Sequence, residues 1–104
     1  MTIQINTDHT ITGTEELCSF VESTIAKTLI RFDNQVTRVE VLLNDDDSNK
    51  DGKTDKRCML EARLEGVESM AVTAHGNTVE EALKNALGKL ESLLDTAPGK
   101  LQDS

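Results

Sequence analysis

The sequence TVEEALKNALGKLESLL, residues 78–94, decides how the rest of the chain must fold. Its apolar residues recur at the i, i+3, i+4 and i+7 spacing, which places them on one wide stripe of an α-helix. Thr78 followed by Glu81 predicts a capping box at the start of this helix, and Asp95 and Pro98 end it. The stripe consists of Val79, Ala82, Leu83, Ala86, Leu87, Leu90, Leu93 and Leu94. A second layer of structure must cover it.

A second amphipathic helix is predicted closer to the amino terminus and extends to about Arg31. Thr12 with Glu15 predicts another capping box at its start, and the sequence Asp33-Asn34 ends it. Its stripe consists of Leu17, Phe20, Val21, Thr24, Ile25, Thr28, Leu29 and Phe32.

Four segments alternate apolar and polar residues with a period of two, which is typical of half-buried β-strands. The polar residues 44–55 predict a hairpin loop between the second and third strands, and Glu65-Gly66 predicts a tighter turn before the fourth. The inward residues are Ile3 and Ile5 in the first strand, Val39, Val41 and Leu43 in the second, Cys58, Leu60, Ala62 and Leu64 in the third, and Met70, Val72 and Ala74 in the fourth.

The predicted order of elements is β-α-β-β-β-α. A chain of 104 residues suits one domain, which we place at residues 1–97, with a flexible tail at 98–104. Short connections make the last three strands an antiparallel meander, whereas the first strand pairs in parallel because a helix intervenes. The predicted fold class is an α/β two-layer sandwich, a four-stranded and mostly antiparallel sheet with two helices on one face and solvent on the other.

Acidic residues dominate the chain, with 19 Asp plus Glu against 11 Lys plus Arg and a formal net charge of −8. Nucleic-acid-binding domains usually carry a basic footprint, so any RNA contact here must be local. The aromatic content of 2%, from Phe20 and Phe32 alone, excludes a base-stacking platform.

The sequence also indicates where the protein resides. Residues 1–11 lack the basic start and apolar run of a signal peptide, and no stretch is long enough to cross a bilayer. Cys18 and Cys58 lie in core-like sequence, which suits buried thiols in a reducing compartment rather than a disulfide. We therefore expect a cytoplasmic protein with no membrane partner.

Residues 47–55 resemble the first half of an EF-hand calcium loop, with the pattern Asp-x-Asn-x-Asp-Gly and Asp55 at the ninth position. The twelfth position is Cys58 where the EF-hand requires a glutamate, and the flanking segments are predicted strands. Solvated Asp, Asn and Gly are also what a long hairpin loop uses, so we expect no calcium site. His9 and His75 stand apart from other ligand residues, so no metal site is expected there.

No residues of the sequence resemble a catalytic set. Ser, His and Asp all occur, but without a nucleophile elbow or a Gly-rich phosphate loop. We therefore expect neither an enzyme nor a cofactor or small-molecule substrate.

Basic residues occur at two places. Lys27 and Arg31 are four residues apart at the end of the first helix, where they complement its negative dipole end. With Arg38 they are a candidate basic spot. On the outer face of the sheet, cross-strand ion pairs are the expected arrangement for Arg38, Glu40, Arg57, Glu61 and Arg63.

Two sets of helix positions, taken with the element order, carry a family resemblance. They are Thr14-Glu15-Glu16-Leu17, Phe20-Val21, Ala26-Lys27 and Phe32 in the first helix, and Ala82-Leu83, Leu87 and Lys89-Leu90 in the last. Over residues 1–94, this combination resembles the bacterial ribosome hibernation-promoting factor and ribosome-associated inhibitor family, in its short single-domain form.

The resemblance implies a double-stranded-RNA-binding-like α/β fold. It also implies a non-enzymatic protein that sits on the small ribosomal subunit, where messenger and transfer RNA would bind, and inhibits translation under stress. Lys27 and Lys89 match basic positions of the family. With Arg31 and Arg38, they are the predicted RNA-binding residues, which would contact phosphates of ribosomal RNA and recognise its shape rather than its base edges.

Several positions depart from the family pattern. Glu80 stands where the family has a tyrosine, Ser92 stands where it has a basic residue, and Asp95 and Asp103 replace its basic carboxyl-terminal end. The alternative function is therefore an acidic protein-interaction domain that keeps the fold without binding ribosomal RNA. A contiguous basic patch on the folded domain would favour the ribosomal function, and a uniformly negative surface would favour the protein partner.

Overall fold

The structure is a computed structural model of the chain and describes residues 1–7, 13–45, 56–66 and 68–96. Its strands are β1 (Thr2–Thr7), β2 (Val36–Asp45), β3 (Lys56–Leu64) and β4 (Met70–Gly76), and its helices are α1 (Glu15–Thr28) and α2 (Val79–Asp95). A 3₁₀ turn, Ile30–Phe32, follows α1. This order confirms the predicted β-α-β-β-β-α arrangement. The tail predicted at 98–104 and the calcium-like segment 47–55 lie outside the described residues.

The four strands form one mixed sheet in the order β1-β2-β3-β4. β1 pairs with β2 in parallel, because α1 returns the chain to the end of the sheet at which β1 began. β2, β3 and β4 form an antiparallel meander. The register places Ile5 beside Val41, Val41 opposite Leu60, and Leu60 opposite Val72. One face of the sheet is therefore apolar, as the alternation predicts.

Both helices lie on that apolar face and close a single core. α2 packs on β4 and β3, while α1 contacts β1 and α2. Among the described residues, no polar or charged residue is buried, so apolar packing holds the two layers together. The largest fully buried side chains are Ile25, Leu29, Leu43, Leu60, Leu83, Leu90 and Leu94. The predicted α/β two-layer sandwich is confirmed.

Thr78 caps α2 as predicted, but the return bond of the predicted capping box is displaced by one residue. Thr78 Oγ1 accepts a hydrogen bond from the Glu81 amide at 3.0 Å. In return, the Glu81 carboxylate accepts one from the amide of Asn77, one residue before the cap, at 3.0 Å. One amide that the first helical turn leaves unpaired, that of Glu81, is thus satisfied, together with the amide of the residue before the cap.

The predicted cap of α1 is wrong by two residues. The helix begins at Glu15, and Thr14 caps it by accepting a hydrogen bond from the Leu17 amide at 3.1 Å. Glu15 is therefore the first helical residue rather than the third, so it does not complete a capping box with Thr12. Thr12 itself lies outside the described residues.

Two residues predicted on the buried stripes lie at the surface instead. Phe20 is 38% exposed and Leu93 is 40% exposed, whereas their neighbours Val21 and Leu94 are buried. Both sit at the margin of a stripe, where the helix surface turns away from the sheet. The stripes are therefore narrower than the sequence predicts.

A glycine allows β4 and α2 to approach each other closely. A Cβ atom at Gly76 would lie 2.6 Å from the amide nitrogen of Ala82 and 2.9 Å from the carbonyl carbon of Glu81. No close contact requires a glycine at Gly88, in the middle of α2, because a Cβ atom there would meet nothing within 4 Å. The first glycine is required by packing, and the second is not.

Leu90→Ala should lower the free energy of unfolding by about 2 to 5 kcal/mol, because it leaves a cavity between α2 and the sheet. Leu93→Ala is the matched control on the same helix and should cost less than about 1 kcal/mol, because Leu93 is already exposed. Urea denaturation followed by circular dichroism measures both. A Leu90→Ala cost no larger than that of Leu93→Ala would mean that the stripe faces the wrong way.

Two glycine substitutions should have opposite effects on the same stability scale. Gly88→Ala should stabilise the domain by about 0.5 to 1 kcal/mol, because alanine is the better helix residue and has open space. Gly76→Ala should destabilise it by about 1 to 3 kcal/mol, because the new methyl group meets the backbone of α2. Thermal denaturation compares the two, and a stabilising Gly76→Ala would contradict the close approach.

Candidate functional site

Lys27 is the most available of the four predicted RNA-binding residues. It lies exposed in the last turn of α1. It makes no hydrogen bond or ion pair with any residue in the described ranges. Its ammonium group is therefore free to meet an external anion.

Arg31 lies in the 3₁₀ turn after α1 and is held by two carboxylates of α2. Its Nη1 and Nη2 atoms donate hydrogen bonds to Oδ1 and Oδ2 of Asp95 at 2.9 and 3.0 Å. Glu91 Oε2 lies 3.7 Å from Nη2. The hydrogen bonds that Arg31 donates to Asp95, together with the charge of both carboxylates, raise the pKa of Arg31 above its ordinary value. The guanidinium also lies 4.3 Å from the ring centre of Phe32.

Arg38 belongs to a polar network on the outer face of the sheet. Its Nε atom donates to Glu40 Oε2 at 3.2 Å, and its Nη2 atom donates to Gln4 Oε1 on β1. Arg63 of β3 also forms an ion pair with Glu40, and its Nη2 atom lies 3.6 Å from the same carboxylate oxygen. The predicted cross-strand ion pair between β2 and β3 is thus present between Glu40 and Arg63.

The other outward charges have different partners from those predicted. Arg57 donates to the side-chain oxygen of Asn44 at 3.1 Å rather than to a carboxylate. Glu61 accepts a hydrogen bond from the Ser69 hydroxyl at 3.0 Å. The register explains this, because it places Glu61 directly opposite Glu40 and Arg57 opposite Asn44.

Lys89 covers the exposed edge of β4. Its Nζ atom donates to the carbonyl oxygen of Thr73 at 2.8 Å, and Asn85 Nδ2 donates to the carbonyl oxygen of His75 at 2.8 Å. Thr73 and His75 are two residues apart on the edge strand, so both carbonyls point to the same side. Side chains of α2 thus satisfy acceptors that an edge strand otherwise presents to another chain.

The four predicted residues do not form one contiguous patch. Arg38 lies on the outer face of the sheet, opposite the helix layer. Lys89 is on the flank of α2 that faces β4, whereas Arg31 contacts the other flank. Lys27 and Arg31 are one helical turn apart, which makes them the pair that the fold keeps together.

The structure has a shallow depression on the outer sheet face that was not predicted from the sequence. Leu42 and Met59 pair directly across β2 and β3, and Met59 is 37% exposed. The signal for it is an apolar residue at an outward position in each strand, but only the register shows that the two meet. The depression has a volume of about 310 Å³ and is lined by Asn6, Glu40, Val41, Leu42, Met59 and Glu61.

Metal-binding side chains do not gather in the described part of the chain, where no three His, Cys, Asp or Glu residues could hold an ion together. His75 lies on β4, whereas His9 and the segment 47–55 are outside the described residues. Within the same ranges, no helix is long and apolar enough to cross a membrane.

Both cysteines are free thiols in different surroundings. Cys18 is half-buried on α1, and Cys58 is fully buried on β3. Burial raises the pKa of the Cys58 thiol to about 12, because the apolar core disfavours the thiolate. Cys58 therefore acts as a small apolar core residue rather than as a nucleophile.

Comparison with known proteins defines the family. The family model described as sigma 54 modulation protein / S30EA ribosomal protein matches residues 3–102. This is nearly the whole chain, and the chain belongs to this family. The resemblance predicted from the helix motifs is thereby confirmed. No curated protein sequence matches the chain significantly.

Solved structures share the fold. A ribosomal subunit interface protein from Coxiella burnetii is 18% identical and superposes with a TM-score of 0.70, over 92% of this chain and 96% of that chain. The N-terminal domain of Thermus thermophilus Protein Y is 19% identical and superposes with a TM-score of 0.73, over 92% of this chain and 98% of that chain. At 18% and 19% identity, the similarity of these two structures to the chain establishes the fold alone.

Raising the pH should destabilise the domain through Cys58. The unfolded chain ionises this thiol near its ordinary pKa of 9.0, whereas the folded chain does so at about 12. The contribution of the protonated thiol is therefore complete below pH 9 and is lost as the pH rises towards 12, by up to about 4 kcal/mol. Urea denaturation of the parent and of Cys58→Ala across this range measures it. An equal loss in both proteins would show that Cys58 is not the cause.

Proposed function

We propose that the chain is a non-enzymatic, ribosome-associated factor of the cytoplasm that binds the small ribosomal subunit and inhibits translation under stress. The observation that carries this proposal is the family match across residues 3–102. One structure with the same fold is named a ribosomal subunit interface protein, which agrees with it. The absence of a recognisable catalytic set in the sequence agrees with a binding role.

RNA contact is proposed for Lys27, Arg31, Arg38 and Lys89. All four reach solvent: both lysines are exposed, and the arginine side chains are 54% and 37% exposed. A phosphate contact requires charge and reach but no base edge. Residues on separate surfaces of the domain can therefore each meet a different part of a folded RNA, which is recognised by its shape.

The net charge of −8 does not by itself prevent such binding. Acidic groups farther than about 8 Å from a contact are largely screened at physiological ionic strength. The contacts are few, however, so the affinity has to come from individual cations. Binding is therefore weak and depends strongly on salt.

The protein-interaction alternative is favoured by one observation. Three of the four proposed cations already have partners within the domain. Arg31 is paired with Asp95, Arg38 contacts Glu40, and Lys89 donates to a backbone carbonyl. An acidic surface whose cations are mostly engaged suits a basic protein partner, and the two functions differ in whether small subunits bind the domain at low salt.

Binding to purified small subunits should weaken as salt increases. Each phosphate contact contributes about 0.7 to 0.9 to the slope of log affinity against log salt, so four contacts give a slope near 3. The double substitution of Lys27→Ala and Lys89→Ala should roughly halve that slope. Circular dichroism should show an intact fold, because both side chains lie outside the apolar stripes.

The matched control is Lys84→Ala combined with Arg57→Ala, which removes the same charge from residues outside the proposed site. Lys84 pairs with Glu80 one turn earlier on α2, and Arg57 contacts Asn44. The control should leave the slope nearly unchanged. If subunits bind the parent and the Lys27/Lys89 variant equally, or bind neither at low salt, the acidic protein-partner function replaces the proposal.

A further inference from the structure

Arg31 already holds a carboxylate in the geometry in which arginine holds a phosphate. Two of its nitrogen atoms donate to the two oxygen atoms of Asp95 at 2.9 and 3.0 Å, and Glu91 adds a third oxygen at 3.7 Å. The planar guanidinium binds carboxylate and phosphate in the same two-point manner. A phosphate that binds Arg31 in this way must therefore displace Asp95.

We propose that Asp95 and Glu91 are an intramolecular competitor for the phosphate that Arg31 binds. We name Arg31, Glu91 and Asp95 the carboxylate latch. While the latch is closed, Nη1 and Nη2 of Arg31 are engaged with Asp95, and a phosphate gains this two-point contact only by exchange with the carboxylate. This inference rests on the proposed function, because it concerns the same RNA contact.

The latch lies at the surface, where such an exchange can take place. The side chains of Arg31, Glu91 and Asp95 are 54%, 33% and 38% exposed. Ion pairs in such positions contribute little to stability, because water and salt screen them. Phe32 supports the guanidinium from one side, at 4.3 Å from its ring centre. This contact does not involve the anion, so it is available whether Arg31 binds a carboxylate or a phosphate.

The position of the two carboxylates supports a role in pairing with Arg31. Asp95 is the last residue of α2 and Glu91 lies one turn earlier, and the last turn of α2 contains no basic residue. Anions at the carboxyl end of a helix interact unfavourably with its dipole. Helix stability therefore does not account for these residues, whereas compensation by Arg31 does.

The latch also changes how binding depends on salt. A free arginine that contacts a phosphate releases a counterion from the RNA. When a phosphate displaces Asp95 from Arg31, the carboxylate loses its ion pair with the guanidinium, which partly offsets the gain from counterion release. Arg31 therefore contributes less to the slope of log affinity against log salt than a full contact does while the latch is intact.

Asp95→Asn tests the latch, because it removes the charge and keeps the shape of the side chain. Affinity for purified small subunits should rise about two- to fivefold, the range expected for loss of an exposed ion pair. The salt slope should steepen, by at most about 0.7 to 0.9, as Arg31 becomes a full contact. Glu22→Gln is the matched control, because Glu22 is an exposed carboxylate of α1 without a partner in the described ranges.

The decisive measurement repeats Asp95→Asn in an Arg31→Ala background, as a double-mutant cycle. There it should change affinity and slope no more than Glu22→Gln does in the parent. An effect of Asp95→Asn that survives without Arg31, or that Glu22→Gln reproduces, would show general charge repulsion and overturn the latch while leaving the proposed function intact. Failure of every variant, including the parent, to bind subunits at low salt would overturn both.

Discussion

The packing of α2 against β3 and β4 is the contact on which the rest of the structure depends. The leucine stripe of α2 can be buried only on an apolar sheet face, and the meander provides that face next to the helix. When α2 packs on the sheet, Glu91 and Asp95 on one of its flanks lie next to Arg31. Asn85 and Lys89 on the other flank contact the edge of β4. The same burial that stabilises the fold therefore decides which cations are engaged and which remain available.

Much of the fold is predictable because it depends on neighbours in sequence. Strand alternation, the order of elements and the cap of α2 by Thr78 are all local patterns, and the structure contains each of them. Errors occur where a local pattern is ambiguous. Thr14 rather than Thr12 caps α1, because two threonines precede the same helix. Phe20 and Leu93 lie at stripe margins, where periodicity does not separate a buried residue from an exposed one.

The candidate site is less predictable because its partners come together only in the folded chain. Arg31 and Asp95 are 64 residues apart, and neither segment contains a sign of the other. Lys89 fits a solvated cation on a helix flank, yet it donates to the Thr73 carbonyl of the edge strand. The net charge likewise gives the total and not the arrangement of the charges: in the described ranges Lys27 has no partner, whereas Arg31, Arg38 and Lys89 are each engaged.

We propose that the domain associates with ribosomes despite its negative charge, through a small number of cationic contacts. Sucrose-gradient sedimentation of a stationary-phase lysate from cells that produce the protein tests this most directly. At low salt, the chain should sediment with the ribosomal fractions, and moderate salt should return it to the top of the gradient, because few phosphate contacts hold it. A chain that stays at the top of the gradient even at low salt, or that sediments with a complex lacking ribosomal RNA, would contradict the account.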